Sequence, residues 1–62
     1  MENSSSFRIE VKWIIKDING TIIKSYLKFN EPLNLIQKNR MAYLTNTPNA
    51  NSVEVIIRGI PN

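Results

Sequence analysis

From Phe7 the chain alternates. Phe7, Ile9, Val11, Trp13 and Ile15 are apolar, Arg8, Glu10, Lys12 and Lys16 lie between them, and Ile14 is the single break. A period of two, carried by β-branched and aromatic residues, predicts a strand with one buried face. Asp17-Ile18-Asn19-Gly20 follows as a turn. A two-residue type I′ loop at Asn19-Gly20 would set Ile15 against Lys24. A three-residue loop instead uses a type I turn, with Asp17 first, Asn19 third and Gly20 in a left-handed bulge position. That loop sets Ile15 against Ile23, Trp13 against Ser25, Val11 against Leu27 and Ile9 against Phe29. Glu10 then meets Lys28, and Lys12 meets Tyr26, on the other face. Because a one-residue slip exchanges the faces of a strand, burial of the apolar set favours this second register.

The second strand is expected over 21–29. Asn30-Glu31-Pro32 then suits a helix start, with Asn30 as N-cap, Glu31 at the positive end of the helix and Pro32 in the first turn. Leu33, Ile36, Gln37, Arg40, Met41 and Leu44 fall on one helical stripe, which predicts a helix over 31–44. The competing reading is a shorter helix ending near Asn39, followed by a strand over 40–45. Residues 45–52 read as a loop by composition. The dense apolar run over 53–57 reads as a final strand, central or buried on both faces, ended by Gly59 and Pro61. The expected fold is α+β: a small β-β-α-β domain over 7–62, with a three-stranded, antiparallel-type sheet, one helix packed on it, and a disordered polar tail over 1–6. The expected core is Ile9, Val11, Trp13, Ile15, Ile23, Leu27, Phe29, Leu33, Ile36, Leu44, Val55 and Ile57.

Length changes the picture. A chain of 62 residues buries only about 60% of the surface its unfolded form exposes. Disulfides or a metal commonly supplement so small a core, but the chain has neither cysteine nor histidine. Self-association or a protein partner becomes the expected supplement, and no cofactor is expected. The first six residues lack the apolar stretch of a secretory signal, and no run nears the ~20 apolar residues of a membrane helix. The expectation is a cytoplasmic protein with no membrane partner. Eight Lys and Arg against five Asp and Glu give a net charge of +3. That permits contact with nucleic acid or an acidic surface and requires neither.

Candidate chemistry is sparse. Nucleophilic catalysis needs an activated nucleophile beside a base, and His and Cys are missing. The carboxylates Glu2, Glu10, Asp17, Glu31 and Glu54 show no spacing for shared acid–base work or a metal cage. Gly20 and Gly59, the only glycines, cannot make a phosphate loop. The chain reads as a binding protein, not an enzyme. In the favoured register the open sheet face carries Arg8 and Glu10 together with Lys12, Ile14, Lys16, Ile22, Lys24, Tyr26 and Lys28, and the last seven are the candidate contact residues. They could form a basic platform with Tyr26 stacking on a base, a solvated lysine face that discourages edge pairing, or a lysine-rimmed Ile14/Ile22/Tyr26 patch suited to a protein. Trp13, Met41 and Tyr43 are candidates for either core or a dimer interface.

The stretch Val11-Lys12-Trp13-Ile14-Ile15-Lys16-Asp17-Ile18-Asn19-Gly20, with Tyr26 and the strand of residues 53–58, resembles the small phage inhibitor of uracil-DNA glycosylase. The resemblance covers the layout of residues 9–58. It implies a β-β-α-β homodimer that occupies a host enzyme. Members of that family are acidic, whereas this chain is basic. Their helix carries an aromatic anchor where Leu33, Leu35 and Ile36 stand here, so no functional residue is transferred. The functional expectation is a small phage- or mobile-element-type protein that binds and inhibits or modulates a host protein, of the anti-defence or host-takeover kind, as a homodimer. A basic nucleic-acid-binding sheet and a subunit of a larger assembly are the alternatives.

Overall fold

The computed structural model describes residues 7–61; the polar tail expected over 1–6 lies outside them. Strand β1 (Phe7–Lys16) and strand β2 (Ile22–Phe29) form a hairpin. A 3-10 turn (Leu33–Leu35) leads into helix α1 (Ile36–Asn46), and β3 (Ser52–Pro61) returns to the sheet. The sheet order is β2-β1-β3 and both pairings are antiparallel. The helix lies on one face, where Ile36, Tyr43 and Leu44 pack against Val11, Trp13, Ile15 and Val53. This is the expected α+β, β-β-α-β arrangement.

The turn forms as its residues dictate. Gly20 donates to the Asp17 carbonyl at 3.0 Å, and Asp17 N–H donates to the Thr21 carbonyl at 2.9 Å. The Asp17 carboxylate accepts from the N–H groups of Asn19 and Thr21 at 2.9 and 3.0 Å. Gly20 has φ +82°, the left-handed conformation that costs other residues energy. The three-residue loop is therefore correct, but the register beyond it is not the expected one. Lys16 pairs with Ile22, and then a bulge opposite Ile15 inserts an extra residue into β2. Ile15 consequently pairs with Lys24, Trp13 with Tyr26, Val11 with Lys28, Lys12 with Leu27 and Glu10 with Phe29.

The space above Trp13 supplies the reason. With Ser25 opposite Trp13, the sheet would present a small side chain beneath the helix. With Tyr26 there, three aromatic rings assemble: Tyr43 lies 5.0 Å from Trp13 and stacks on Tyr26 at 5.1 Å with a 19° interplanar angle. Such pairs add roughly 0.5–1.5 kcal/mol beyond their burial. Ile23, one of the two residues opposite Ile15, still packs on the core.

The third strand also differs from expectation. It is an edge strand, and β1 is central. The dense apolar run over 53–57 arises because both of its faces carry apolar residues, not because both are covered: Ile56 is 50% exposed. The strand continues through Gly59 to Pro61, which an edge position allows because proline's missing N–H interrupts no interior ladder.

Asn30 is not a helix cap. It sits at φ 59° and closes the hairpin, donating to the Ile9 carbonyl at 2.8 Å and accepting from the Ile9 N–H at 3.2 Å. The helix begins later than expected, at Ile36, and runs through 40–45, which excludes a strand there. It ends where Thr47 N–H donates to the Tyr43 carbonyl at 3.1 Å. Thr47-Pro48-Asn49-Ala50 then turns, with Asn49 at φ 68° and Ala50 N–H donating to the Thr47 carbonyl at 3.2 Å. Pro second and positive φ third mark a type II turn.

The core is narrow. Val11, Trp13, Ile15 and Val53 are buried, with Ile9, Ile23, Tyr26, Ile36, Tyr43, Leu44, Ala50 and Val55 half-buried around them. Leu27, Phe29, Leu33 and Ile57, all expected inside, are exposed. Leu27 and Phe29 were turned out by the bulge. Leu33 precedes the helix, and Ile57 lies on an edge strand. The Trp13 indole donates to the Glu31 carboxylate at 2.8 Å, so Glu31 serves the core and not a helix terminus. The radius of gyration is 14.1 Å, against about 11 Å for a compact domain of this length, and the molecule is a slab of 49 × 20 × 10 Å.

Two outcomes follow for stability. Apart from the adjoining residues, nothing lies within 4 Å of where a side chain at Gly20 would begin, so substitution there meets only backbone strain. Gly20→Val should lose about 1–2 kcal/mol in urea melts and Gly20→Asn clearly less, since Asn tolerates the left-handed region; equal losses would contradict this. Trp13→Phe leaves the Glu31 carboxylate without its donor and should cost about 1.5–3 kcal/mol by the same measurement. A loss below about 0.5 kcal/mol would show that the indole bond contributes little.

Candidate interaction surface

Residues directly opposite one another in an antiparallel pair share a face, so the register assigns every strand residue. The helix covers the face of Val11, Trp13 and Ile15. The opposite face carries Arg8, Glu10, Lys12, Ile14 and Lys16 of β1, with Ile22, Ser25, Leu27 and Phe29 of β2 and Ser52, Glu54, Ile56, Arg58 and Ile60 of β3. Among the described residues no element packs on this second face. Ile22, Leu27, Phe29 and Ile56 are 42–57% exposed, and Ile14 and Ile60 are half-buried.

The expected contact residues divide between the faces. Lys12, Ile14, Lys16 and Ile22 stand together on the open one. Lys24, Tyr26 and Lys28 stand on the other, because the bulge shifts each by one position. Tyr26 is half-buried under Tyr43, and Lys24 and Lys28 are exposed along the β2 edge. Of the dimer candidates, Trp13 is fully buried within the subunit, Tyr43 is half-buried against Trp13 and Tyr26, and Met41 is exposed on the helix. Ser25, Leu27 and Phe29 of β2 and all of the β3 residues on the open face, Ile56 and Arg58 among them, are ones that sequence reasoning did not place there. One cue in the sequence bears on this. Ile22 and Ile23 are adjacent β-branched residues just after the turn, and either can face the core, so an extra residue at that point costs little burial.

The charges on this face are ordered. Arg58 Nε lies 2.5 Å from Glu10 Oε1, and the Glu10 side chain is only 13% exposed. Lys16 Nζ lies 3.4 Å from Glu54 Oε1. The Arg8 guanidinium sits 4.7 Å from the centre of the Phe29 ring, a cation–π contact. Glu10, Lys12, Ser25, Leu27, Ile56 and Arg58 line a concavity of about 530 Å³ on this face. Leu27 and Ile56 flank it from the outer strands, and Glu10 and Lys12 of the central strand lie between them. Such a surface can bury an apolar side chain and orient it by ion pairs. Among the described residues no cluster of Asp and Glu is able to hold a metal ion, and no helix is long and apolar enough to cross a membrane. Comparison with protein-family models, curated proteins and solved structures finds no match.

Proposed function

We propose that the chain is a non-enzymatic binding module that inhibits or modulates a host protein, as a homodimer, in the host cytoplasm, and that the open sheet face is its contact surface. One observation carries this reading: Leu27, Phe29, Ile22 and Ile56 lie exposed on one sheet face, with Lys12 between Leu27 and Ile56 and with Arg8 and Arg58 at the margin. Clustered exposed apolar residues with a polar rim mark protein contacts. The phage or mobile-element setting and the inhibitory action are supported by the resemblance of layout alone. A nucleic-acid platform has less support, since Tyr26 and two of its lysines share no face with Lys12 and Lys16.

Affinity capture from host lysate, with and without nuclease, tests the reading. The tagged chain should retain a nuclease-resistant protein. Leu27→Asp and Lys12→Glu should each weaken that capture by about tenfold or more, as removing a central contact does. Lys38→Glu, on the exposed side of α1, should leave it unchanged. A haul that disappears with nuclease, or that ignores Leu27→Asp, contradicts the reading.

A further inference from the structure

The hydrogen-bond pattern fixes which backbone groups of β3 are unpaired. Asn30 N–H bonds the Ile9 carbonyl, so odd-numbered residues of β1 face β2 and even-numbered ones face β3. Through the β1–β3 register, Ser52, Glu54, Ile56, Arg58 and Ile60 bond to β1. Val53, Val55, Ile57 and Gly59 therefore point their N–H and C=O groups outward. Among the described residues these groups have no backbone partner outside the sheet. An edge of this length is a template for another strand. The other edge is blunted by its bulge and by Lys24 and Lys28, which are common protections against pairing.

One register of β3 against itself sets its opposite charges face to face. When two copies are set antiparallel about Ile56, Ile56 faces the partner's Ile56 and Glu54 faces the partner's Arg58. On the other sheet face Val55 meets the partner's Ile57, and Val53 meets the partner's Gly59. Every outward group from Val53 to Gly59 then closes a ladder bond. Pro61, which has no N–H, ends the ladder. Moving the centre to Glu54 or to Arg58 sets like charges opposite each other, which is destabilising. The existing Lys16–Glu54 and Glu10–Arg58 pairs would join across the seam as an alternating chain of charges.

We infer that the protein dimerises edge to edge through β3, with the two-fold axis at Ile56, to form a continuous six-stranded sheet. This rests on the homodimer in the reading above and not on its open-face partner. The dimer extends the open face across both subunits and leaves Leu27 and Phe29 free.

The chain has no cysteine, so single cysteines report the geometry cleanly. A centre that is not hydrogen-bonded brings the facing Cα atoms to about 4.5 Å, within disulfide reach. Ile56→Cys should form a disulfide-linked dimer about tenfold faster than Ile22→Cys or Leu27→Cys, which lie far from the axis. Equal rates, or preference for either control, overturn the edge pairing. In sedimentation equilibrium, Glu54→Arg and Arg58→Glu should each raise the dimer dissociation constant about tenfold. The double variant should restore it, although the contacts of positions 54 and 58 with Lys16 and Glu10 remain like-charged within each subunit. Absence of rescue in the double variant, its fold checked by circular dichroism, overturns the inference. A strict wild-type monomer at high micromolar concentration overturns this inference and the homodimer together, whereas capture of a partner through Leu27 would be untouched. A dimer whose cross-links fall elsewhere overturns the edge pairing alone.

Discussion

One extra residue in β2 decides what this protein shows to its surroundings. The bulge opposite Ile15 sets Tyr26, not Ser25, against Trp13. The Trp13–Tyr43–Tyr26 cluster follows, and it anchors α1 over the centre of the sheet. The same step turns Leu27 and Phe29 to the open face and moves Lys24 and Lys28 off it. Core and surface are two consequences of a single backbone event, because a shift of one position exchanges every later side chain of a strand.

The resulting core is small for its chain. Among the described residues four are buried, all on β1 and β3, while a short helix covers one face. A hydrophobic contribution of about 1.5–3 kcal/mol per fully buried aliphatic or aromatic side chain makes each of Val11, Trp13 and Ile15 indispensable. It also explains why Glu31 is held to the indole: an unpaired buried donor would be costly in so thin a molecule. Of the apolar residues left outside, Ile22, Leu27, Phe29 and Ile56 share the open face and Ile57 lies on β3, while Ile18, Leu33, Leu35 and Met41 lie in the hairpin turn, the 3-10 turn and the helix. The open-face group is the surface that the proposed partner would cover.

Much of this was legible in the sequence. The alternation from Ile9 to Ile15 located the buried face of β1, and Asp17 to Gly20 specified the turn down to the positive φ of Gly20. The β-β-α-β order followed from pattern and breakers. What escaped were features set by tertiary context. The bulge depends on the ring of Tyr43, seventeen residues along the chain from Tyr26. Asn30 suits a helix cap and a left-handed strand exit equally well, and only its bond to Ile9 chooses between them. The run over 53–57 is apolar on both faces whether it is a central strand or an edge with exposed contacts. The candidate surface inherited the register error, so its β1 half was readable and its β2 half was not.

The central claim is the register after the bulge, and nuclear Overhauser contacts between Hα atoms across the hairpin measure it directly. Pairs not joined by hydrogen bonds bring their Cα atoms to about 4.5 Å. Strong contacts are expected between Lys12 and Leu27 and between Ile14 and Ser25. Contacts between Lys12 and Tyr26 and between Ile14 and Lys24 would contradict it, placing Tyr26 on the open face and Leu27 in the core.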